Sequence, residues 1–265
     1  RIEPYTGFEQ GSIRPPSEAG SLLIRITRNC PWNRCTFCPV YKGTKFSLRP
    51  VEHVLKDIDK VHSYVESILN AKKQNGQEAR CGYASLSLSP NDHYRMALHA
   101  ARSFVACGMK SIFLQDGNSL IIKPDDLVRI LVHLKQAFPD VDRITSYARS
   151  HTIVKISDDD LRRFTESGLN RIHIGMESGS DAVLKKVKKG TDKATQILAG
   201  QKVKRAGMEL SEYYMPGLGG RHLSRENSLE TADALNQINP DFIRLRTLAL
   251  PGGIPLAEEQ RRRRF

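Results

Sequence analysis

No apolar run in this chain approaches the roughly 20 residues that a membrane-spanning helix needs. Its start, Arg1-Ile2-Glu3-Pro4, lacks the charge pattern and apolar stretch of a signal peptide. Both absences point to a cytoplasmic protein. Tryptophan is almost missing, with 1 in 265 residues, and cysteine is scarce, with 5. Five unevenly placed thiols exclude a disulfide framework as the basis of the fold. Acid is short as well: 29 Asp and Glu face 41 Lys and Arg, a net charge of +12. That balance would speed encounters with nucleic acid or an acidic redox partner. No RNA-recognition signature or aromatic-interleaved basic strip accompanies it, and runs such as Lys185, Lys186, Lys188 and Lys189 fit solvated helix faces. The missing initial Met and the abrupt end at 261–265 suggest a fragment, a processed chain or missing ends.

What is present is an alternation of strand and helix. Residues 1–20 hold Pro4, Gly7, Gly11, Pro15, Pro16 and Gly20, too many breakers for a regular element, and form a loop-rich lead-in. Strands are expected at 21–28, 111–114, 143–147, 171–176, 209–215 and 241–248. From Pro50, the spacing of Val51, Val54, Leu55, Ile58, Val61, Val65, Ile68 and Leu69 predicts a long helix. Residues 74–89 are less regular, with weak alternation in Tyr83, Leu86 and Leu88. Ser89-Pro90 then resembles a cap and first-turn proline for a helix to about Cys107. Pro124 starts another, with Leu127, Ile130, Leu131 and Leu134 on its apolar face. Ser157 with Asp160 makes a capping-box-like start for a helix to Ser167. Helical segments follow at 181–188 and 192–206, and Ser224 can cap a helix to Ile238.

Six strands with intervening helices predict an α/β fold with a parallel sheet, a partial (β/α)6 TIM-like barrel over 21–256, with 257–265 as a basic tail or truncated C-terminal region. In such barrels the C-terminal strand ends carry the site, and the unusual residues of this chain all follow strands.

Foremost among them is Cys30-Pro-Trp-Asn-Arg-Cys35-Thr-Phe-Cys38, a C-x4-C-x2-C spacing directly after the first apolar strand. Thiolates select zinc, copper(I) or iron-sulfur clusters. A closed zinc site wants four protein ligands, and the next His is His53, inside the predicted helix. Three thiolates instead suit a 4Fe-4S cluster with one iron open to a small chelating molecule.

The motif resembles that of the radical S-adenosylmethionine (radical SAM) superfamily, in which three closely spaced cysteines after the first strand hold such a cluster. Phe37 fills the family's aromatic place before the last cysteine, although the commonest family spacing has three residues, not four, between the first two. The run from Ile172 through Glu177-Ser178-Gly179 to Lys185 resembles the branch that contains Elongator-like proteins and oxygen-independent coproporphyrinogen oxidases. The resemblance spans roughly residues 13–256. It implies an enzyme that reductively cleaves S-adenosylmethionine (SAM), with a 4Fe-4S cluster on Cys30, Cys35 and Cys38 and an electron donor such as flavodoxin or ferredoxin. By the same resemblance, Asp116, Gly117 and Asn118 would meet the SAM amino group, Glu177 the ribose or methionine end, and Lys189 the methionine carboxylate. Gly217 and Gly219 would allow adenine to approach, Leu248 would pair with that ring through its backbone, and Ser146 and Arg149 would touch cofactor or substrate. His173 and Met176 are expected in interior packing, and Cys81 and Cys107 in structural roles. The substrate is open, RNA included. The rival reading is a non-catalytic iron-sulfur or zinc protein, possibly nucleic-acid-binding.

Overall fold

The computed structural model describes residues 3–75 and 92–262. Apolar, β-rich segments form β1 (Leu22–Arg25), β2 (Thr27–Arg28) and β3 (Ser47–Leu48), followed by α1 (Val51–Asn75) and α2 (His93–Ala106). Next come β4 (Ser111–Gln115), α3 (Pro124–Ala137), β5 (Arg143–Ala148), α4 (Ser150–Ile153) and α5 (Asp158–Glu166). The chain continues through β6 (Leu169–Glu177), α6 (Asp181–Lys186), α7 (Lys193–Arg205), β7 (Glu209–Tyr214), α8 (Ser224–Ile238), β8 (Phe242–Leu245) and α9 (Pro255–Arg261). The main sheet has six strands in the order β1-β4-β5-β6-β7-β8, and every pairing in it is parallel. It is the expected α/β scaffold, a partial TIM-like barrel left open between β1 and β8.

Strand alternation divides the sheet into two faces. Leu22, Ile24, Ile112, Leu114, Ile144, Ile172, Ile174 and Leu210 face the helices and are buried in one core with Val54, Ile58, Val61, Val65, Leu127, Leu131 and Phe164. The opposite parity carries Phe113, Tyr147, His173 and Tyr213. Rings two strands apart meet there, Phe113 with His173 at 6.3 Å and Tyr147 with Tyr213 at 6.3 Å, which requires that face to be concave.

Several local expectations are corrected. Strand one does not run through 21–28: pairing with β4 ends at Gln115, and Thr27 and Arg28 turn away to pair antiparallel with Ser47 and Leu48. Ser224 is the first residue of α8 and not its cap, because the cap position falls on Leu223, which makes no side-chain bond. Strand six shortens to Phe242–Leu245, where its pairing with β7 stops. Residues 257–261 belong to α9, whose Leu256 is fully buried. The Ser89-Pro90 start and Cys81 lie outside the described residues, and α2 is capped instead by Asp92, which accepts from the Arg95 amide. Ser157 caps α5 as predicted, accepting from the Asp160 amide. The lead-in contributes Phe8 and Glu18 to the interior, both buried.

Candidate functional site

The cysteine loop is closed at its base by the β2–β3 pair and held along its length by polar side chains. Asn29 and Asn33 take left-handed backbone angles, which asparagine tolerates. The Asn29 amide side chain reaches the Lys45 carbonyl at 2.6 Å, and that of Asn33 the Tyr41 carbonyl. The far side docks on neighbouring elements: Thr36 donates its amide to Val187 O at 3.0 Å and accepts from the Leu256 amide at 3.1 Å. Cys30, Cys35 and Cys38 are free and half-buried. Burial pushes the Cys35 thiol up; the Lys189 and Arg149 cations pull it down, while Cys38 and Cys30 add to the rise. Cys35 and Cys38 pack on one apolar cluster with Phe37, Lys189 lies over that ring and Arg149 over Trp32, and three thiols on such a loop are a soft donor set that suits an anionic iron-sulfur cluster. Among the described residues no three His, Cys, Asp or Glu side chains converge at single-ion range. A cluster binds its thiolates through separate irons and has no need of that range. Cys107, by contrast, is disulfide-bonded.

Asp116-Gly117-Asn118 lies beside this loop. The Asp116 carboxylate is fully buried and accepts from Tyr41 Oη at 2.6 Å, Arg25 Nε at 2.9 Å and the Asn29 amide at 3.2 Å. A buried carboxylate needs such donors, and these tie the first residues of the loop to β4. Asn118 is spent similarly, accepting from the Arg149 amide at 3.0 Å and donating to Thr152 Oγ1 at 2.8 Å. Between them Gly117 presents bare backbone: a methyl there would lie 3.4 Å from the Tyr41 ring and 3.6 Å from Cys30 Cβ. Ser146 is buried and bonds the Leu114 and Tyr147 carbonyls.

Glu177 ends β6 in a left-handed conformation, φ 66°. It is largely enclosed, with side-chain exposure of 12%. Its Oε1 lies 3.4 Å from Lys189 Nζ, and its Oε2 is buried without a partner. Gly175 makes room for this pair, since a methyl there would sit 2.6 Å from Glu177 Oε1 and 3.1 Å from Lys189 Nζ. Lys189, whose solvated alternative is excluded by 13% exposure, lies over the Phe37 ring at 5.9 Å. Arg149 donates to the Lys189 carbonyl at 2.9 Å and stacks on Trp32 at 5.1 Å. Its own proton affinity is lowered by burial and raised by the facing Cys30 and Cys35.

A separate small apolar cluster backs the loop: Phe37, Val183, Val187, Met215, Leu218 and Leu256 are buried together, with Cys35, Cys38 and Leu248 packed against them. Gly217, at φ +84°, has open space where a side chain would be, whereas Gly219 packs tightly on Leu223. The structure thus gathers Cys30, Cys35, Cys38, Phe37, Gly117, Arg149, Glu177, Lys189 and Leu248 around one mouth. Asp116, Asn118 and Ser146 brace it from below. Sequence reasoning missed Tyr41, Trp32 and Arg25. The first two were visible as the aromatics of the cysteine loop, but Arg25 carried no signal apart from its tertiary partner.

A sequence family described as the Radical SAM superfamily matches residues 84–232, more than half of the chain. The span begins after the cysteine loop, so the loop is interpreted from its own residues. No curated protein matches the sequence. Among solved structures, coproporphyrinogen III oxidase (HemN) from Escherichia coli superposes with a TM-score of 0.56 at 15% identity, over 98% of this chain and 48% of its own. The radical S-adenosylmethionine methyltransferase TsrM from Kitasatospora setae gives 0.59 at 15% identity, over 91% and 38%. Elp3 from Methanocaldococcus infernus, with its N-terminus deleted, gives 0.50 at 14% identity, over 92% and 50%. These likenesses show a shared fold, and the chain spans about half or less of the length of each. They lend no support to the non-catalytic reading.

Proposed function

The chain belongs to the radical SAM superfamily, and from that premise we propose that it reductively cleaves SAM at a 4Fe-4S cluster held by Cys30, Cys35 and Cys38. What supports this reading is three free thiols on one loop, with Lys189 over its Phe37, Arg149 over its Trp32 and a half-partnered Glu177 beside Lys189. A cluster on these thiols, reduced by an external one-electron donor, would supply the electron that cleaves SAM into methionine and a 5'-deoxyadenosyl radical able to take hydrogen from the substrate.

The chain's own residues hold and orient. Glu177 Oε2, buried and unpartnered, accepts a hydroxyl or ammonium of SAM, and Lys189 offers its cation to the methionine carboxylate. Gly117 admits ligand close to the backbone beside Cys30, and Gly217 leaves open space for the adenine next to Leu248. The apolar cluster around Phe37 excludes water from the cysteine side. No helix of the described residues is long and apolar enough to cross a membrane. A donor such as flavodoxin or ferredoxin would supply the electron. The branch assignment, with Elongator-like and coproporphyrinogen oxidase-like proteins, agrees with the HemN and Elp3 superpositions. The test is anaerobic reconstitution with iron and sulfide, reduction with dithionite, and assay of 5'-deoxyadenosine. The product is expected even without substrate, and cluster-replete protein that neither binds SAM nor forms it would overturn the reading.

A further inference from the structure

We infer that the inner wall of β7 and β8 binds an oxyanion of the substrate, a carboxylate or a phosphate, through Arg244 and Arg246. The inference rests on the radical SAM reading of the mouth and names what enters it.

Arg171 on β6, Arg244 on β8 and Arg246 just after β8 line this side, and their partners differ. Arg171, at the start of β6, is neutralised by Glu209 at 2.6 Å. Arg244 donates Nε to Ser211 Oγ at 2.9 Å and lies 5.5 Å from the Phe242 ring. Arg246, directly after β8, lies 5.8 Å from the Tyr213 ring, and its amide bonds Tyr214 O at 2.9 Å. Among the described residues neither Arg244 nor Arg246 faces a carboxylate. Hydroxyl and aromatic contacts fix their direction and leave the guanidinium fork available, the geometry that binds carboxylate and phosphate with two parallel bonds.

The surroundings are polar. Tyr213 Oη and His173 Nδ1 are buried without partners, while His173 Nε2 lies 3.6 Å from Glu18. Tyr147, His173 and Tyr213 lie together, with ring centroids 5.8 to 6.3 Å apart. Buried polar groups normally find partners, and a ligand against this wall would supply them. The cations at the mouth therefore form two sets. Lys189 and Arg149 face Glu177 and the thiols. Arg244 and Arg246 lie on the β7–β8 side, and among the described residues no carboxylate comes within ion-pair range of either.

Titration of anaerobically reconstituted protein with inorganic pyrophosphate and with succinate at low ionic strength, followed by calorimetry, tests the inference and separates phosphate from carboxylate. Saturable binding of at least one is expected, weakened roughly tenfold or more in Arg244→Gln/Arg246→Gln, with each single variant showing part of the loss. Arg129→Gln, which removes an exposed cation on the outer helices, is expected to bind as the wild type does. Absence of binding by both probes, undiminished binding in the double and single variants, or an equal loss in Arg129→Gln would overturn the inference. Formation of 5'-deoxyadenosine by the same wild-type preparation tests the underlying reading separately: anion binding without that product keeps the anion site and overturns only the radical chemistry.

Discussion

Glu177 shows how one residue is prepared for a ligand. Its left-handed backbone turns the carboxylate back over Gly175, where only a hydrogen leaves room, and sets one oxygen toward Lys189 while the other stays buried and unpartnered. An unmade bond of this kind costs about 1–3 kcal/mol, which ligand binding would recover. Glu177→Gln keeps the volume and removes the charge. We expect SAM affinity to fall roughly tenfold with the cluster intact and the melting temperature nearly unchanged, read by equilibrium binding and calorimetry. Normal affinity with a sharply lower melting temperature would instead make the Glu177–Lys189 pair structural. At the cysteines, replacing Cys30, Cys35 and Cys38 together by Ala should abolish the charge-transfer absorbance of reconstituted protein, because Cys107 is held in a disulfide. A four-iron cluster surviving in that variant would remove the basis of the assignment.

At the scale of elements, the cysteine loop is shaped by what lies beneath and beside it. Asp116 at the end of β4 binds Arg25, Tyr41 and the Asn29 amide at once. Asp116→Asn leaves Arg25 without its principal partner in a largely enclosed position, a loss on the order of 3 kcal/mol. Chemical denaturation should show it, together with poorer cluster retention, and unchanged stability would mean that the loop is held elsewhere. On the other side Gly190, at φ +73°, abuts the Trp32 indole: a methyl would lie 2.3 Å from the ring. Gly190→Ala should cost about 1–3 kcal/mol. It should also shift the emission of Trp32, which as the only tryptophan reports on the loop without interference. An unaltered spectrum would show that the indole is free of that contact.

For the molecule as a whole, the end of the barrel opposite the mouth is joined by Glu18. This buried lead-in carboxylate accepts from Ser21 at 2.5 Å, and lies 3.5 Å from Arg143 on β5 and 3.6 Å from His173 on β6. Burial alone would raise its carboxyl, but His173, Ser21 and Arg143 outweigh that and bring it down to about 2 from an ordinary 4.5. A carboxyl with a depressed folded-state value stabilises the fold above its unfolded value. That contribution is lost as pH falls from about 4.5 toward 2. Wild-type melting temperature should therefore drop through this window more steeply than that of Glu18→Gln, whose stability is lower at neutral pH and flatter in acid. Parallel slopes for the two proteins would show that Glu18 does not carry the acid sensitivity.

Much of this architecture was written locally. The apolar periods of 51–69 and 127–134, the cap at Ser157 and the strand runs depend on neighbours within one or two turns, so the βα alternation and the parallel barrel followed from sequence alone. The three thiols and Phe37 were equally legible, because their meaning lies in close spacing. Beyond these the chain was silent. Asp116 and Arg25 are 91 residues apart, and nothing near either one announces the other. The enclosure of Glu177 was not legible either, because a strand end says nothing of Lys189 or Gly175 folding over it. The end of strand one at Arg25 was set by where β4 ceased to offer partners, and the burial of Leu256 by the cysteine loop it packs against. Sequence determined which elements form and in what order, through short-range periodicity and capping. Tertiary structure decided which charges are answered and which remain open, because burial and long-range partners exist only once the strands have been brought side by side.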